Sequence, residues 1–227
     1  MKKPQVDYRN FRFSKINSPE FSHLKFLLGW VAYFALYLLT ENLIPTENCH
    51  VVHGKLDDII PFCEYFVVPY VLWYAYVALS LLYFALYNTE SFKKLSLFIL
   101  LTQIIAMTVY ILYPNRQDLR PLEFERDNVF TFIVGILYKV DTNTNVCPSL
   151  HVGYSLAIAS VWLKEKGISL WWKLVSTVFA ILVCMSTAFI KQHSVVDIWW
   201  AFVMCFIIEI IIYRKYWISK LKKECKR

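Results

Sequence analysis

The chain has 227 residues, 58% of them hydrophobic and 18% aromatic, with a formal net charge of +7. Soluble domains carry roughly 45–50% apolar residues, so this composition excludes an ordinary soluble domain and predicts an integral membrane protein. The positive charge, which in a soluble chain would suggest nucleic acid, is expected instead to report sidedness, and no nucleic-acid partner is expected.

A polar N-terminal segment, residues 1–23, precedes a first apolar run at 24–44. That run has no small-residue cleavage site before it or within it, which predicts a retained helix rather than a signal peptide. Further runs follow at 65–87, 93–113, 147–163, 169–190 and 194–213. Each approaches the roughly 20 residues needed to cross a hydrocarbon layer of about 30 Å. The expected fold is all-α, a six-transmembrane-helix bundle in a single domain spanning 1–227 and ending in a basic tail at 214–227. No internal repeat or linker divides it.

The loops differ in character. The first, 45–64, is acidic and contains KLDDIIPF, whose Pro61 is placed to start the second span. Cys49 and Cys63 share this loop, where a bridge and two free thiols are both open readings. The longest loop, 114–146, carries Arg116, Arg120 and Arg126, then an apolar piece at 128–140 that is too short to span and reads as a short interfacial helix. If the spans alternate, most of the 24 Lys and Arg residues fall on one side, in the N-terminal segment, the 88–94 and 164–173 loops and the tail. By the sidedness rule both termini are then cytoplasmic, and the other three loops face outward.

Two outward helix starts are polar. The fourth span opens with Cys147-Pro148-Ser149-Leu150-His151, and the sixth begins at His193-Ser194. Helix N-termini carry unpaired N–H groups and partial positive charge, so two converging starts make an anion site for which phosphate is the obvious candidate. His193 and Asp197 stand four apart on one helical face, a spacing that lets the carboxylate fix the imidazole tautomer and leave the other ring nitrogen free to attack. Ser149 and His151 would hold a phosphate oxygen and protonate a leaving alcohol. Arg120, Arg116 and Lys191 would neutralise the remaining oxygens. Each residue also has a structural reading: Ser149 as a cap, His193 and Asp197 as a structural pair, Arg120 and Lys191 as interfacial cations. A metal held by His151, His193 and Asp197 is the minority reading, and neither metal nor cofactor is expected.

These residues resemble the type-2 phosphatidic acid phosphatase superfamily, whose motifs run K-x6-R-P, P-S-G-H and S-R-x5-H-x3-D. The counterparts are Arg120-Pro121, then Ser149 with His151, then Ser186 with His193 and Asp197. The resemblance implies metal-free phosphoryl transfer: His193 attacks phosphorus, Asp197 orients it, and His151 protonates the departing oxygen. Ser149, Ser186 and the cations are implied phosphate ligands. Tyr113, Leu150 and Thr187 depart from the pattern, removing two family cations that Lys191 and Arg116 are candidates to replace. The P-S-L-H form resembles the inositol phosphorylceramide synthase branch and its bacterial relatives. The expectation is therefore a multi-pass protein of a bacterial plasma membrane that removes phosphate from a lipid phosphate at the extracytoplasmic face. A headgroup phosphotransferase using a lipid alcohol is the alternative, and a non-catalytic transporter is a third reading. The lipid, the acceptor and the oligomeric state are not legible.

Overall fold

The computed structural model describes residues 4–224. Met1–Lys3 of the N-terminal segment and Cys225–Arg227 of the basic tail lie outside the described residues. The chain forms α1 (Phe26–Leu43), α2 (Val67–Tyr87), α3 (Thr89–Leu112), α4 (Val129–Val140), α5 (Leu150–Lys164), α6 (Leu170–Phe189) and α7 (Val195–Glu224). Two short strands, β1 (His50–Val51) and β2 (Asn115–Arg116), pair in parallel with His50 opposite Asn115.

Five helices, α1, α2, α3, α6 and α7, are long and apolar enough to cross a membrane. The sequence predicts a sixth crossing at α5, but this helix has only 15 residues. At 1.5 Å per residue it rises about 22 Å, less than the hydrocarbon thickness. Packing explains how so short a helix is accommodated. α5 lies against α2, α3, α6 and α7, and Val152, Tyr154, Ala157, Ile158 and Val161 are buried along it. A helix enclosed by protein does not meet lipid along its length, so the length rule for lipid-facing helices does not bind it. The outer helices invert the usual pattern: Leu28 and Val31 of α1, Val178 and Ile181 of α6, and Phe206 and Ile211 of α7 are all exposed.

The predicted helix at 128–140 forms as α4, opened by a capping box in which Asn128 and Thr131 exchange side-chain and backbone bonds. Val134 packs with Val67, Tyr70 and Ile190, while Val129, Phe132 and Val140 face outward. Pro61 does not start α2, which begins at Val67 after a 3-10 turn over Glu64–Phe66. α7 runs past the predicted end at 213, but Tyr213 itself leaves helical geometry with φ −106° and ψ 18°. Cys49 and Cys63 are both free thiols.

The two ends of the bundle are built differently. At one end the N-terminal segment crosses α2 and α3: Tyr8 donates its hydroxyl to Ala85 O at 2.9 Å, and Gln5 N donates to Leu86 O at 2.7 Å. Beside it, Asn88 is the single residue between α2 and α3 and caps α3 by accepting from Ser91 N. Its Nδ2 also donates to both carboxylate oxygens of Glu165, at 3.0 and 2.9 Å. At the other end, three loops bind one another and carry the polar residues described next.

Replacing Asn88 by Ala removes the α3 cap and both bonds to a buried carboxylate. A stability loss of about 2 kcal/mol is expected, read as a lowered unfolding temperature in detergent; an unchanged temperature would contradict this account of the α2–α3 turn.

Candidate functional site

The start of α5 is fixed by Asn115, a fully buried side chain in β2. Its Oδ1 accepts from Val146 N at 2.9 Å and Cys147 N at 2.8 Å, and its Nδ2 donates to Tyr113 O at 2.9 Å and Cys147 O at 3.1 Å. Tyr110 adds a bond from its hydroxyl to Pro148 O at 2.8 Å. Ser149 then caps α5 through Oγ, which accepts from Val152 N at 3.5 Å, while Ser149 N donates to Asp197 O at 3.2 Å. The first turns of α5 and α7 are thereby joined.

This junction brings the three residues of the predicted reaction centre together. His193 Nδ1 lies 3.3 Å from Asp197 Oδ2, and His193 Nε2 lies 3.4 Å from His151 Nδ1. With Asp197 accepting from Nδ1–H, the lone pair of Nε2 is directed toward His151. Asp197 Oδ2 also accepts from Ser194 N at 2.9 Å. The His151 ring sits against Tyr70 and Trp73, with ring centroids 4.5 and 4.4 Å away. Its Nε2 is buried without a partner among the described residues.

A cavity of about 560 Å³ opens from the two histidines. Trp30, Tyr33 and Phe34 of α1 line one wall, and Trp73, Tyr74 and Val77 of α2 line the other. Asp141, Asn145 and Gln192 complete the polar end, with Leu150 on the wall beside His151. A site whose walls are apolar and whose polar groups converge at one end suits an amphiphilic ligand.

The predicted phosphate ligands are not brought to this cavity. Among the described residues, no Lys or Arg lines it. Arg120 donates to Tyr138 O, Asp141 O and Thr142 O at 3.0, 2.8 and 2.9 Å, and to Gln192 Oε1 at 2.5 Å, so it reaches the cavity only through the lining residues Asp141, Thr142 and Gln192. Burial pushes its pKa down, opposed by the Asp141 charge. Lys191 occupies a left-handed position, φ 54°, just past the end of α6. Helices commonly close this way, and the amides of Gln192 and His193 both return to Thr187 O. From there Lys191 Nζ points into the first loop, donating to Asp57 O at 2.8 Å and Ile60 O at 2.6 Å. Arg116 pairs with Asp118 at 3.3 Å and donates to Thr46 O. Ser186 is buried and donates to Val183 O within α6, and Ser149 is likewise buried as a cap. Tyr113, where the family pattern has lysine, stacks on His50 with centroids 4.1 Å apart.

The expected anion site at the start of α7 is already filled by the protein's own Asp57. Its Oδ1 accepts from Val195 N at 2.8 Å, and its Oδ2 accepts from Ser194 Oγ at 2.5 Å and Gly54 N at 2.8 Å. Sequence reasoning missed Asp57, Asp141 and Asn115; the acidic pair in KLDDIIPF was the only hint of the first. Among the described residues, no group of three or more His, Cys, Asp and Glu side chains is placed to hold a metal ion.

Replacing Asp57 by Ala leaves two donors at the start of α7, and Gly54 N in the first loop, without their acceptor. A loss of roughly 2–3 kcal/mol is expected, with faster amide hydrogen exchange at Ser194 and Val195 as the local signature; unchanged exchange there would contradict the capping role. No family model, curated protein or solved structure matches the chain, so the chemistry of the site rests on its geometry.

Proposed function

We propose that the chain is a membrane-embedded lipid phosphate phosphatase that works through a phosphohistidine at His193. The observation that carries this reading is the line Asp197–His193–His151 at the polar end of a cavity walled by two apolar helices. In this reading α5 completes six crossings, and the basic N-terminal segment and tail lie in the cytoplasm. α4 rests in the interface through Phe132 and Val140, and the site faces the extracytoplasmic side.

The reaction has two steps. His193 Nε2 attacks phosphorus, the bond from phosphorus to the lipid oxygen breaks, and that oxygen leaves with the electron pair and takes a proton from His151. A water oxygen then attacks phosphorus, its proton passes to His151, and the P–N bond breaks to release inorganic phosphate. Because the two ring nitrogens are 3.4 Å apart in the empty site, the His151 ring swings aside as phosphorus comes between them. Asp197 holds the tautomer throughout. Negative charge on phosphorus is met by the imidazolium and by the positive end of α5, with Arg120 acting through Gln192.

A second reading keeps the first step and replaces water by a lipid alcohol. Leu150 on the cavity wall beside His151 favours it, since an apolar wall at the reacting end accepts a lipid alcohol as readily as water.

The test is a panel of labelled lipid phosphates, incubated with purified protein with and without diacylglycerol or ceramide and resolved by chromatography. Phosphate release supports the phosphatase, and a new phospholipid supports the transferase. His193→Ala is expected to abolish both products, and His151→Ala to slow them by about 10²–10⁴-fold, the usual worth of a positioned general acid. Full activity in the His193 variant would sink the mechanism, as would flux of solutes through liposomes without any turnover. Chelator is expected to leave the rate unchanged.

A further inference from the structure

The cavity holds a half-buried carboxylate for which the two-step reaction has no use. Asp141 follows α4 directly and lines the polar end. Its Oδ2 accepts from Tyr70 Oη at 2.9 Å and Gln192 Nε2 at 3.3 Å, and its Oδ1 accepts nothing among the described residues. The same tyrosine whose hydroxyl holds Asp141 lays its ring on His151, so the carboxylate is fixed relative to the reaction centre. A second carboxylate, Glu41, stands behind the rim and accepts from Thr142 Oγ1 at 2.6 Å, Thr144 Oγ1 at 3.0 Å and Asn145 Nδ2 at 2.5 Å. The neighbouring cation, Arg120, is directed to carbonyls and to Gln192. The cavity that Asp141 lines is also lined by Tyr33, Tyr37, Tyr74, Trp30 and Trp73.

An anionic end without lining Lys or Arg is a poor receptor for a phosphate alone. Aromatic faces grouped around a carboxylate are instead the usual receptor for an ammonium ion, which gains from the ring quadrupoles and the charge together. We propose that this end of the cavity binds an ammonium group, so that the substrate is a lipid phosphate ester carrying an ammonium a few bonds from phosphorus. The inference rests on the phosphatase or transferase reading for the phosphate, and on the cavity alone for the ammonium. Burial raises the Asp141 carboxyl above the ordinary carboxylate range, while the Tyr70 hydroxyl and the charges of His193 and Arg120 lower it; a bound ammonium would favour the ionised form further.

Two sources share this chemistry. The ammonium can sit on the lipid side of phosphorus, as in a sphingoid-base phosphate, or on the headgroup side, as in an ethanolamine phospholipid. Two matched pairs distinguish them: sphingosine 1-phosphate against ceramide 1-phosphate, and phosphatidylethanolamine against phosphatidylglycerol. Turnover by the native protein in nanodiscs would be measured for all four, together with equilibrium binding of short-chain versions to His193→Ala protein. In one pair the ammonium lipid is expected to bind about tenfold tighter than its neutral partner, the size of a cation–π contact in a desolvated site. Asp141→Asn should bring that ratio close to one. Tyr74→Leu, a change at a half-exposed cavity side chain that leaves the core intact, should reduce the ratio and decides the matter if the Asp141 variant does not fold. Equal binding within both pairs, or a preference that survives both substitutions, would overturn the proposal. Ammonium-selective binding without turnover of any lipid would keep the inference and remove the phosphatase reading. Turnover without ammonium preference would do the reverse.

Discussion

One backbone hydrogen bond, from Ser149 N to Asp197 O at 3.2 Å, ties the first turn of α5 to the first turn of α7. The approach of His151 to His193 depends on this junction. His151 lies two residues beyond Ser149 and His193 four before Asp197, so joining these turns sets the separation of the rings. Other bonds back it at both turns: Asn115 holds Val146 and Cys147 before α5 and Tyr113 beside them, and Asp57 accepts from Val195 N and Ser194 Oγ at the start of α7. His151 Nε2 is left without a partner among the described residues, and a buried group in that state costs about 1–3 kcal/mol.

The charges tell a second story. A reading of motifs alone assigns cations to phosphate, yet these cations bind carbonyl oxygens of the loops. Arg120 gathers three carbonyls around the end of α4, and Lys191 secures the first loop to the end of α6. Both hold the segments that carry Asp141 and His193. What lines the cavity is Asp141, the two histidines and a set of aromatic rings, with no Lys or Arg among the described residues.

The sequence made the helices legible because hydrophobic runs of span length announce themselves, and α2, α3 and α6 fall within a few residues of their expected limits. The pairing of His193 with Asp197 was legible because helical period fixes which residues share a face. α5 ends within a residue of the expected run at 147–163 but starts three later, after Cys147-Pro148-Ser149, and its short length makes sense only once its neighbours are known. The partners of Asp57, Glu41 and Asn115 were not legible. Asp57 meets Ser194 across 137 positions and Glu41 meets Asn145 across 104, and no local pattern encodes contacts that distant. Lys191 was misread for a related reason: its left-handed backbone, which reverses the direction of the side chain, follows from how α6 ends.

The gap between α1 and α2 has a consequence for how any ligand would be counted. α1 packs chiefly on α3, where Gly29 allows Leu100 to approach closely, and both helices that wall the cavity are of membrane-crossing length and carry exposed apolar side chains such as Val31 and Leu72. A molecule reaching the histidines by this path travels within the plane of the bilayer. Its relevant abundance is then a surface density, its share of the lipids in one leaflet, so diluting the protein with inert lipid would slow encounter even when bulk amounts stay fixed.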